Sequence, residues 1–186
     1  MRKLSMYISV SLDGFFASAN GDMSWAHRHD PEWTAYVEGN ASGESELMFG
    51  RITHDMMASY WPTPLAAKNS PAVAARMNAV RKIVFSRALR ESPWANTTVL
   101  TGDLASEVAR LKTEPGPDIT ILGSGTIVRQ LTDARLIDDY QIVVSPIALG
   151  EGKSLFGGLK ERIPLKLASS RGFSNGNVVL CYQPAV

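Results

Sequence analysis

The chain has 186 residues, enough to bury the core of one compact domain, and we predict a single domain over residues 1–186. Hydrophobic residues make up 45% of the sequence and charged residues 20%, which excludes a disordered tail protein and a fibrous repeat. The formal charge of +1 gives no general attraction for nucleic acid or for an anionic membrane, so we expect neither as a partner.

The amino-terminal residues and the cysteine content indicate a protein of the cytoplasm. Leu4, Met6, Ile8 and Val10 alternate with polar residues, which predicts a β-strand and not the continuous apolar segment of a signal peptide. Cys181 is the only cysteine, so the sequence allows neither an internal disulfide nor a cysteine-based zinc cluster. We therefore expect a cytoplasmic location.

Strands and helices alternate along most of the chain. A loop is predicted over 15–25, and Asp30-Pro31 is typical of a helix start. Ile52, Met56, Met57 and Tyr60 recur at helical spacing, and Met56, Met57 and Trp61 are expected in the core. The segment 62–75 is predicted to be a connection or a short helix. The other predicted elements are strands at 47–49, 83–85, 119–122 and 140–144, and helices after Asp103 and after Gly125.

The carboxy-terminal end has a different pattern. Two extended segments, 165–173 and 178–182, flank Ser174-Asn175-Gly176-Asn177, and Asn-Gly between extended segments is a strong hairpin signal. We therefore predict an α/β fold whose mostly parallel sheet is closed by an antiparallel hairpin.

Three predicted strands are each followed by small or basic residues, at the sheet edge where open α/β sheets bind ligands. The first turn contains Gly50 and Arg51, and the second contains Ser86 and Arg87. The third is a glycine turn that leads into a helix, whose free N–H groups are suited to a pyrophosphate. It consists of Gly123, Ser124, Gly125 and Thr126. Taken singly, the first is also compatible with a Gly-containing turn and a solvated arginine, and the second is a weak signal, whereas the strand and helix around the third raise its value. Together they indicate a nucleotide cofactor.

The order of these turns resembles the dihydrofolate reductase superfamily, and more closely the pyrimidine reductase of riboflavin biosynthesis. The resemblance covers almost the whole chain. It is carried by Ser11-Leu12-Asp13-Gly14, by Phe49-Gly50-Arg51-Ile52-Thr53, by Phe85-Ser86-Arg87, and by the segments 136–140, 146–152 and 155–156. The resemblance implies a three-layer α/β/α fold of the dihydrofolate reductase type and a homodimer.

The same resemblance implies NADPH as the cofactor. Arg51, Ser86 and Arg87 would surround the phosphate on the adenosine ribose, Thr53 would lie near the pyrophosphate, and the Gly123–Thr126 turn would complete the pyrophosphate cradle. Dihydrofolate reductase has two glycines joined by a cis peptide bond at this turn, whereas this chain has Gly123-Ser124-Gly125. A cis bond before serine costs about 3 kcal/mol, so the sequence leaves its isomer open.

Two carboxylates are candidates for the substrate end of the site. Trp25 and Asp30 have the spacing of the loop tryptophan and the pterin-binding acid of dihydrofolate reductase, and Asp13 follows the first strand. Hydride transfer to a C=N bond leaves a nitrogen that needs a proton, which a carboxylic acid could supply. The purely structural alternatives are a helix-capping role for Asp30 and a turn position for Asp13.

These features together predict a reductase that acts on a heterocycle such as a pterin or a ribosylaminopyrimidine. His27 and His29 lack a third ligand at a suitable spacing, so no metal site is expected. Two alternatives stay open: a non-catalytic protein that binds NADPH or another nucleotide, and a dimeric structural protein whose glycine turns only join strands.

Overall fold

The computed structural model describes residues 1–27, 30–41 and 43–185. Its strands are β1 (Leu4–Ser11), β2 (Phe15–Ala17), β3 (Glu46–Gly50), β4 (Lys82–Phe85), β5 (Thr97–Leu100), β6 (Ile119–Leu122), β7 (Asp139–Ser145), β8 (Lys153–Ser154), β9 (Leu165–Gly172) and β10 (Val178–Pro184). Its helices are α1 (Pro31–Ala41), α2 (Arg51–Tyr60), α3 (Pro64–Asn69), α4 (Pro71–Ala79), α5 (Leu104–Thr113) and α6 (Gly125–Asp133), with a short 3-10 helix at Ser24–Ala26.

Eight of the strands form one sheet in the order β5-β4-β3-β6-β1-β7-β10-β9. The pairs from β5 to β7 are all parallel, whereas β10 runs antiparallel to both β7 and β9. β2 and β8 form a separate antiparallel pair. The predicted mostly parallel sheet with an antiparallel carboxy-terminal hairpin is therefore confirmed.

Helices cover both faces of the sheet, which confirms the predicted three layers. On one face, the alternate residues Leu4, Met6, Ile8 and Val10 of β1 pack against α5 and α6 in the largest core cluster. On the opposite face, Leu47, Phe49 and Val84 pack against α2 and α4, while Val143 and Val179 pack against Trp33 of α1. β1 is buried on the α5 and α6 face and half-buried on the other face, because it lies in the interior of the sheet.

Three local predictions were wrong in detail. The segment 62–75, predicted to be a connection or a short helix, holds two helices, α3 and the start of α4, and each begins with a proline at its first position. The edge strand β5 and the β2 strand inside the predicted loop were not expected, because each is too short to give a clear hydrophobic pattern. On α2, Met56 is 48% exposed and not in the core, because the buried position of this helix is taken by His54.

Candidate cofactor and substrate site

The three predicted turns lie side by side at the carboxyl edge of the sheet. β3 is paired with β4 on one side and with β6 on the other. Gly50 at the end of β3 is opposite Phe85 of β4, so Ser86 and Arg87 follow at the same level. No pairing order for these strands follows from the sequence alone. The pairing brings the three turns together at one edge of the sheet, which is compatible with the nucleotide hypothesis.

A chain of hydrogen bonds joins the first and third turns. Gly50 N donates to Ser124 Oγ at 2.7 Å, and Ser124 Oγ donates to Thr53 Oγ1 at 2.9 Å. The peptide bond between Gly123 and Ser124 is trans, and both residues have left-handed φ angles, 59° and 58° respectively. A non-glycine residue in this region costs about 1 kcal/mol, and here that conformation accompanies a serine hydroxyl that bridges two turns.

Two helices begin at this junction without a side-chain cap. α2 starts after Gly50 and α6 starts after Ser124, and neither residue caps its helix with a side-chain hydrogen bond. By contrast, Asp103 caps α5 and Thr63 caps α3. First-turn N–H groups without a cap are donors for an anion, and the helix dipoles favour negative charge at the same place. The junction therefore fits a pyrophosphate, and Thr126 lies in the first turn of α6.

The basic residues beside this junction differ in their partners. Arg51 Nη1 is 3.1 Å from Asp55 Oδ2 one turn later in α2. Ser86 is buried, and its Oγ accepts hydrogen bonds from Ala88 N and Leu89 N, which shapes the turn after β4. Arg87 is exposed and has neither a hydrogen bond nor an ion pair with another described residue. Both guanidinium groups are thus available to a phosphate.

A cavity of about 240 Å³ borders the third turn and adds two cations that sequence reasoning missed. It is lined by Gly125, Thr126, Phe16, Arg129, Lys153 and Ser154. The Phe16 ring lies against Gly125, since an added Cβ there would be 2.3 Å from the ring. Arg129 and Lys153 form no ion pair with any residue in the described ranges. Their positions, one turn into α6 and on β8, gave no sequence signal because neither belongs to a motif.

Asp13 is a structural anchor in this geometry. Its carboxylate accepts hydrogen bonds from Ser11 Oγ at 2.6 Å, from Gly150 N at 2.7 Å and from Leu149 N at 3.0 Å. The Ser11 hydroxyl and these backbone N–H groups lower the pKa of Asp13 to about 2. An ionised carboxylate cannot donate a proton, so this geometry does not favour the predicted catalytic role and instead ties the end of β1 to the loop after β7.

Asp30 caps α1 and has a second, unused oxygen. Its Oδ1 accepts a hydrogen bond from Trp33 N at 2.9 Å. Its Oδ2 is buried and has no hydrogen-bond partner among the described residues, which do not include positions 28 and 29. The helix-cap reading and the functional reading are therefore compatible, because each uses a different oxygen. Its catalytic role stays a prediction.

Two more polar side chains on the α1 face of the sheet were not predicted as site residues. Ser145 ends β7 and Asn177 precedes β10, one position beyond the paired residues Val144 and Val178. Both are fully buried, and within the part of the chain that the structure describes, Ser145 Oγ and both polar atoms of the Asn177 side chain lack hydrogen-bond partners. Buried polar groups are nearly always satisfied, so these orphans mark a place where a ligand or an ordered water completes the bonding.

Two further points concern metal ions and membranes. Among the residues that the structure describes, no group of three or more histidine, cysteine, aspartate or glutamate side chains could hold a metal ion, and His29 lies outside those residues. Within the same ranges, no helix combines the length and apolar character needed to span a membrane.

Comparisons with known proteins agree with this architecture. The chain is 30% identical over 184 residues to the uncharacterized protein YyaP of Bacillus subtilis (strain 168), which covers 97% of this chain and 94% of YyaP. A crystal structure from Shewanella sp. PV-4, assigned to riboflavin biosynthesis, superposes with a TM-score of 0.75 at 23% identity and covers 99% of both chains.

A second solved structure is a larger enzyme. The diaminohydroxyphosphoribosylaminopyrimidine deaminase/5-amino-6-(5-phosphoribosylamino)uracil reductase of Thermotoga maritima superposes with a TM-score of 0.69 at 15% identity. The match covers 99% of this chain and 57% of that one. At these identities the two solved structures support the fold alone. The model of the RibD C-terminal domain matches residues 2–179, and on that match the chain belongs to the RibD C-terminal domain family.

Proposed function

We propose that the protein is an NADPH-dependent reductase that transfers hydride to a C=N or C=O bond of a heterocyclic substrate. The observation that carries this proposal is the junction of Gly50, Thr53 and Ser124, where two uncapped helices begin beside Arg51 and Arg87. Membership in a family that includes reductases supports the same reaction class.

Different residues of the chain would bind the pyrophosphate and the ribose phosphate of the cofactor. The first turns of α2 and α6 would bind the pyrophosphate through backbone N–H groups. Arg51 and Arg87 would hold the phosphate on the adenosine ribose, and Ser86 shapes the loop that carries Arg87. NADPH supplies a hydride when it is bound.

The substrate end would supply the proton and the orientation. Hydride addition to the carbon of a C=N bond leaves an electron pair on nitrogen, which takes a proton. Asp30 is the better candidate for that proton, because its Oδ2 is unpartnered while Asp13 is held ionised by three donors. Ser145 and Asn177 offer a hydroxyl and an amide on the same face as α1, and a pterin or pyrimidine edge has donors and acceptors to match them.

The test has two stages. NADPH and NADH are titrated by fluorescence into the wild type and into Arg87→Ala, and we expect NADPH to bind more tightly than NADH and the variant to lose about tenfold in NADPH affinity. Absence of NADPH binding at hundreds of micromolar would overturn the proposal.

Turnover separates an enzyme from a binding protein. Dihydropterin and ribosylaminopyrimidine substrates are offered to the wild type, to Asp30→Asn and to Asp13→Asn. We expect Asp30→Asn to abolish turnover with unchanged NADPH affinity. Tight NADPH binding by the wild type without reduction of either substrate class would favour the non-catalytic alternative.

A further inference from the structure

A line of polar side chains runs from Arg51 at the cofactor junction to the loop after β4. Asp55 Oδ2 is 3.1 Å from Arg51 Nη1, and Asp55 Oδ1 is 3.0 Å from His54 Nδ1. On the other side of the ring, His54 Nε2 is 2.8 Å from Ser92 Oγ. Four side chains are therefore linked in series, and the line connects the first turn to the loop that follows the second turn.

The buried member of this line is His54. Its side chain is 2% exposed, and its ring lies 6.0 Å from that of Trp94, whereas Arg51 and Asp55 are about half exposed. A buried polar side chain on the sheet-facing side of a helix is unusual, because an apolar residue packs there at lower cost. Hydrogen bonds on both ring nitrogens compensate for the burial of the imidazole.

The hydrogen-bond roles along the line follow from the Asp55 carboxylate, which can only accept. His54 Nδ1 therefore carries a ring proton and donates to Asp55. In the neutral ring, His54 Nε2 then accepts from the Ser92 hydroxyl, whose oxygen also accepts from Trp94 N at 3.1 Å. Asp55 thus sets the ring tautomer, and the ring, which is held by Ser92, sets the orientation of Asp55.

The order serine, histidine, aspartate is also that of a hydrolytic triad, but this geometry is unsuited to one. The imidazole is enclosed between Ser92, Trp94 and Asp55, and Ser92 Oγ is already held by a backbone N–H. A nucleophilic serine needs access to the substrate carbonyl from beside the imidazole. The line instead ends on an exposed guanidinium.

We propose that Asp55 and His54 are positioning residues that hold Arg51 toward the adenosine ribose phosphate and so set the preference for NADPH over NADH. This inference rests on the proposed function. Asp55 occupies one edge of the Arg51 guanidinium, and the remaining N–H donors stay available to a phosphate beside Arg87. Fixing the long arginine side chain before binding lowers the entropy lost when the phosphate arrives.

Two substitutions of His54 separate its two contacts. His54→Asn keeps a donor at the position of Nδ1, toward Asp55, and removes the group that meets Ser92. His54→Gln keeps an acceptor at the position of Nε2, toward Ser92, and removes the donor to Asp55. The two variants are matched in chemistry and burial, so a general loss of packing affects both.

We expect His54→Gln to weaken NADPH binding by about five- to tenfold, the effect of one freed long side chain, with less than a twofold change for NADH. His54→Asn should retain the NADPH to NADH affinity ratio. Arg51→Ala should lower the ratio by itself, and adding His54→Gln to Arg51→Ala should lower it no further, because both changes act through the same guanidinium. Thermal unfolding without cofactor confirms that each variant is folded.

The remaining outcomes overturn one claim or the other. Two results would show that Asp55 and His54 do not position Arg51, and the proposed reductase would stand in both cases. In the first, Arg51→Ala lowers the NADPH to NADH affinity ratio while His54→Gln leaves it unchanged. In the second, His54→Asn lowers this ratio as much as His54→Gln does. If Arg51→Ala leaves the ratio unchanged, Arg51 does not bind the ribose phosphate and this inference is overturned. If the wild type binds neither dinucleotide, the proposed function fails with it.

Discussion

The candidate cofactor side and the candidate substrate side are built in opposite ways. At the junction of β3, β4 and β6, the polar side chains bond to their neighbours, as Ser124 does to Gly50 and Thr53. Beside α1, Asp30, Ser145 and Asn177 contain buried polar side-chain atoms without a partner among the described residues. The side-chain bonding of the first region is therefore complete, and its free donors are helix N–H groups and Arg87, whereas in the second region buried side-chain atoms themselves are unused.

The largest expected effect lies on the complete side. Gly125→Ala places a methyl group 2.3 Å from the Phe16 ring, and we expect the free energy of unfolding to fall by about 2–3 kcal/mol because overpacking displaces the ring or the first turn of α6. Urea unfolding of the variant and of the wild type measures this difference in free energy.

Gly39→Ala is the matched control on the substrate side. An added Cβ at Gly39 in α1 meets nothing within 4 Å, so the same substitution should raise stability by about 0.5–1 kcal/mol through helix propensity. If both substitutions lowered the free energy of unfolding equally, the close contact with Phe16 would not be the reason that Gly125 is necessary.

Ser124→Ala should give the next largest effect. It removes the hydroxyl that joins Gly50 N to Thr53 Oγ1, and the partly buried Gly50 N–H loses its partner at a cost of about 1–3 kcal/mol. Thr53→Val removes only the second of the two bonds and should cost about 1 kcal/mol. Denaturant midpoints of the two variants give the comparison, and a larger loss for Thr53→Val would contradict the bridging role of Ser124.

Asp13→Asn should show a smaller effect that depends on pH. Hydrogen bonds from Ser11 and from backbone amides lower the pKa of Asp13 from 3.8 to about 2, so the folded protein favours the charged carboxylate. Its contribution is fully present above pH 3.8 and is lost as the pH falls to about 2. The stability difference between wild type and variant should therefore shrink between pH 5 and pH 2 in denaturant titrations, and a difference independent of pH would exclude a charge effect.

Asn177→Leu should have the smallest effect on stability and tests the incomplete side directly. It replaces two buried polar atoms that have no partner among the described residues with an apolar group of similar size. The free energy of unfolding should therefore stay unchanged or rise by up to about 1 kcal/mol. Ser145→Ala is the companion variant. A loss above 1 kcal/mol at Asn177 would show that its amide is already satisfied in the free protein, and the contrast between the two sides would disappear.

The two sides also differed in how far the sequence could predict them. The turns at Gly50, Ser86 and Gly123 each follow a short apolar strand, so their positions depend on local pattern, and the parallel sheet then brings them together. Ser145 and Asn177 are 32 positions apart and are brought together by strand register, whereas the local sequence around Asn177 predicts a residue of the hairpin turn. No local pattern connects such residues.

His54 shows a second limit of sequence reasoning. The predicted apolar stripe of α2 used Ile52 and Met56, yet both are exposed, and the helix turns His54 toward the sheet. The buried face of a helix is inferred from the spacing of its apolar residues alone, so a buried histidine leads to the wrong face. Likewise, the role of Asp13 depends on Leu149 and Gly150, which lie more than 130 residues later in the chain.

The position of β1 has a consequence for synthesis. The first strand of the chain pairs only with β6 and β7, which begin at Ile119 and Asp139. Until a ribosome has made β6 and β7, Leu4, Met6 and Ile8 have no neighbouring strand of this sheet to cover them. The pairing of β1 therefore has to wait for the synthesis of these later strands, and a chaperone bound to its apolar residues would shield them in the meantime.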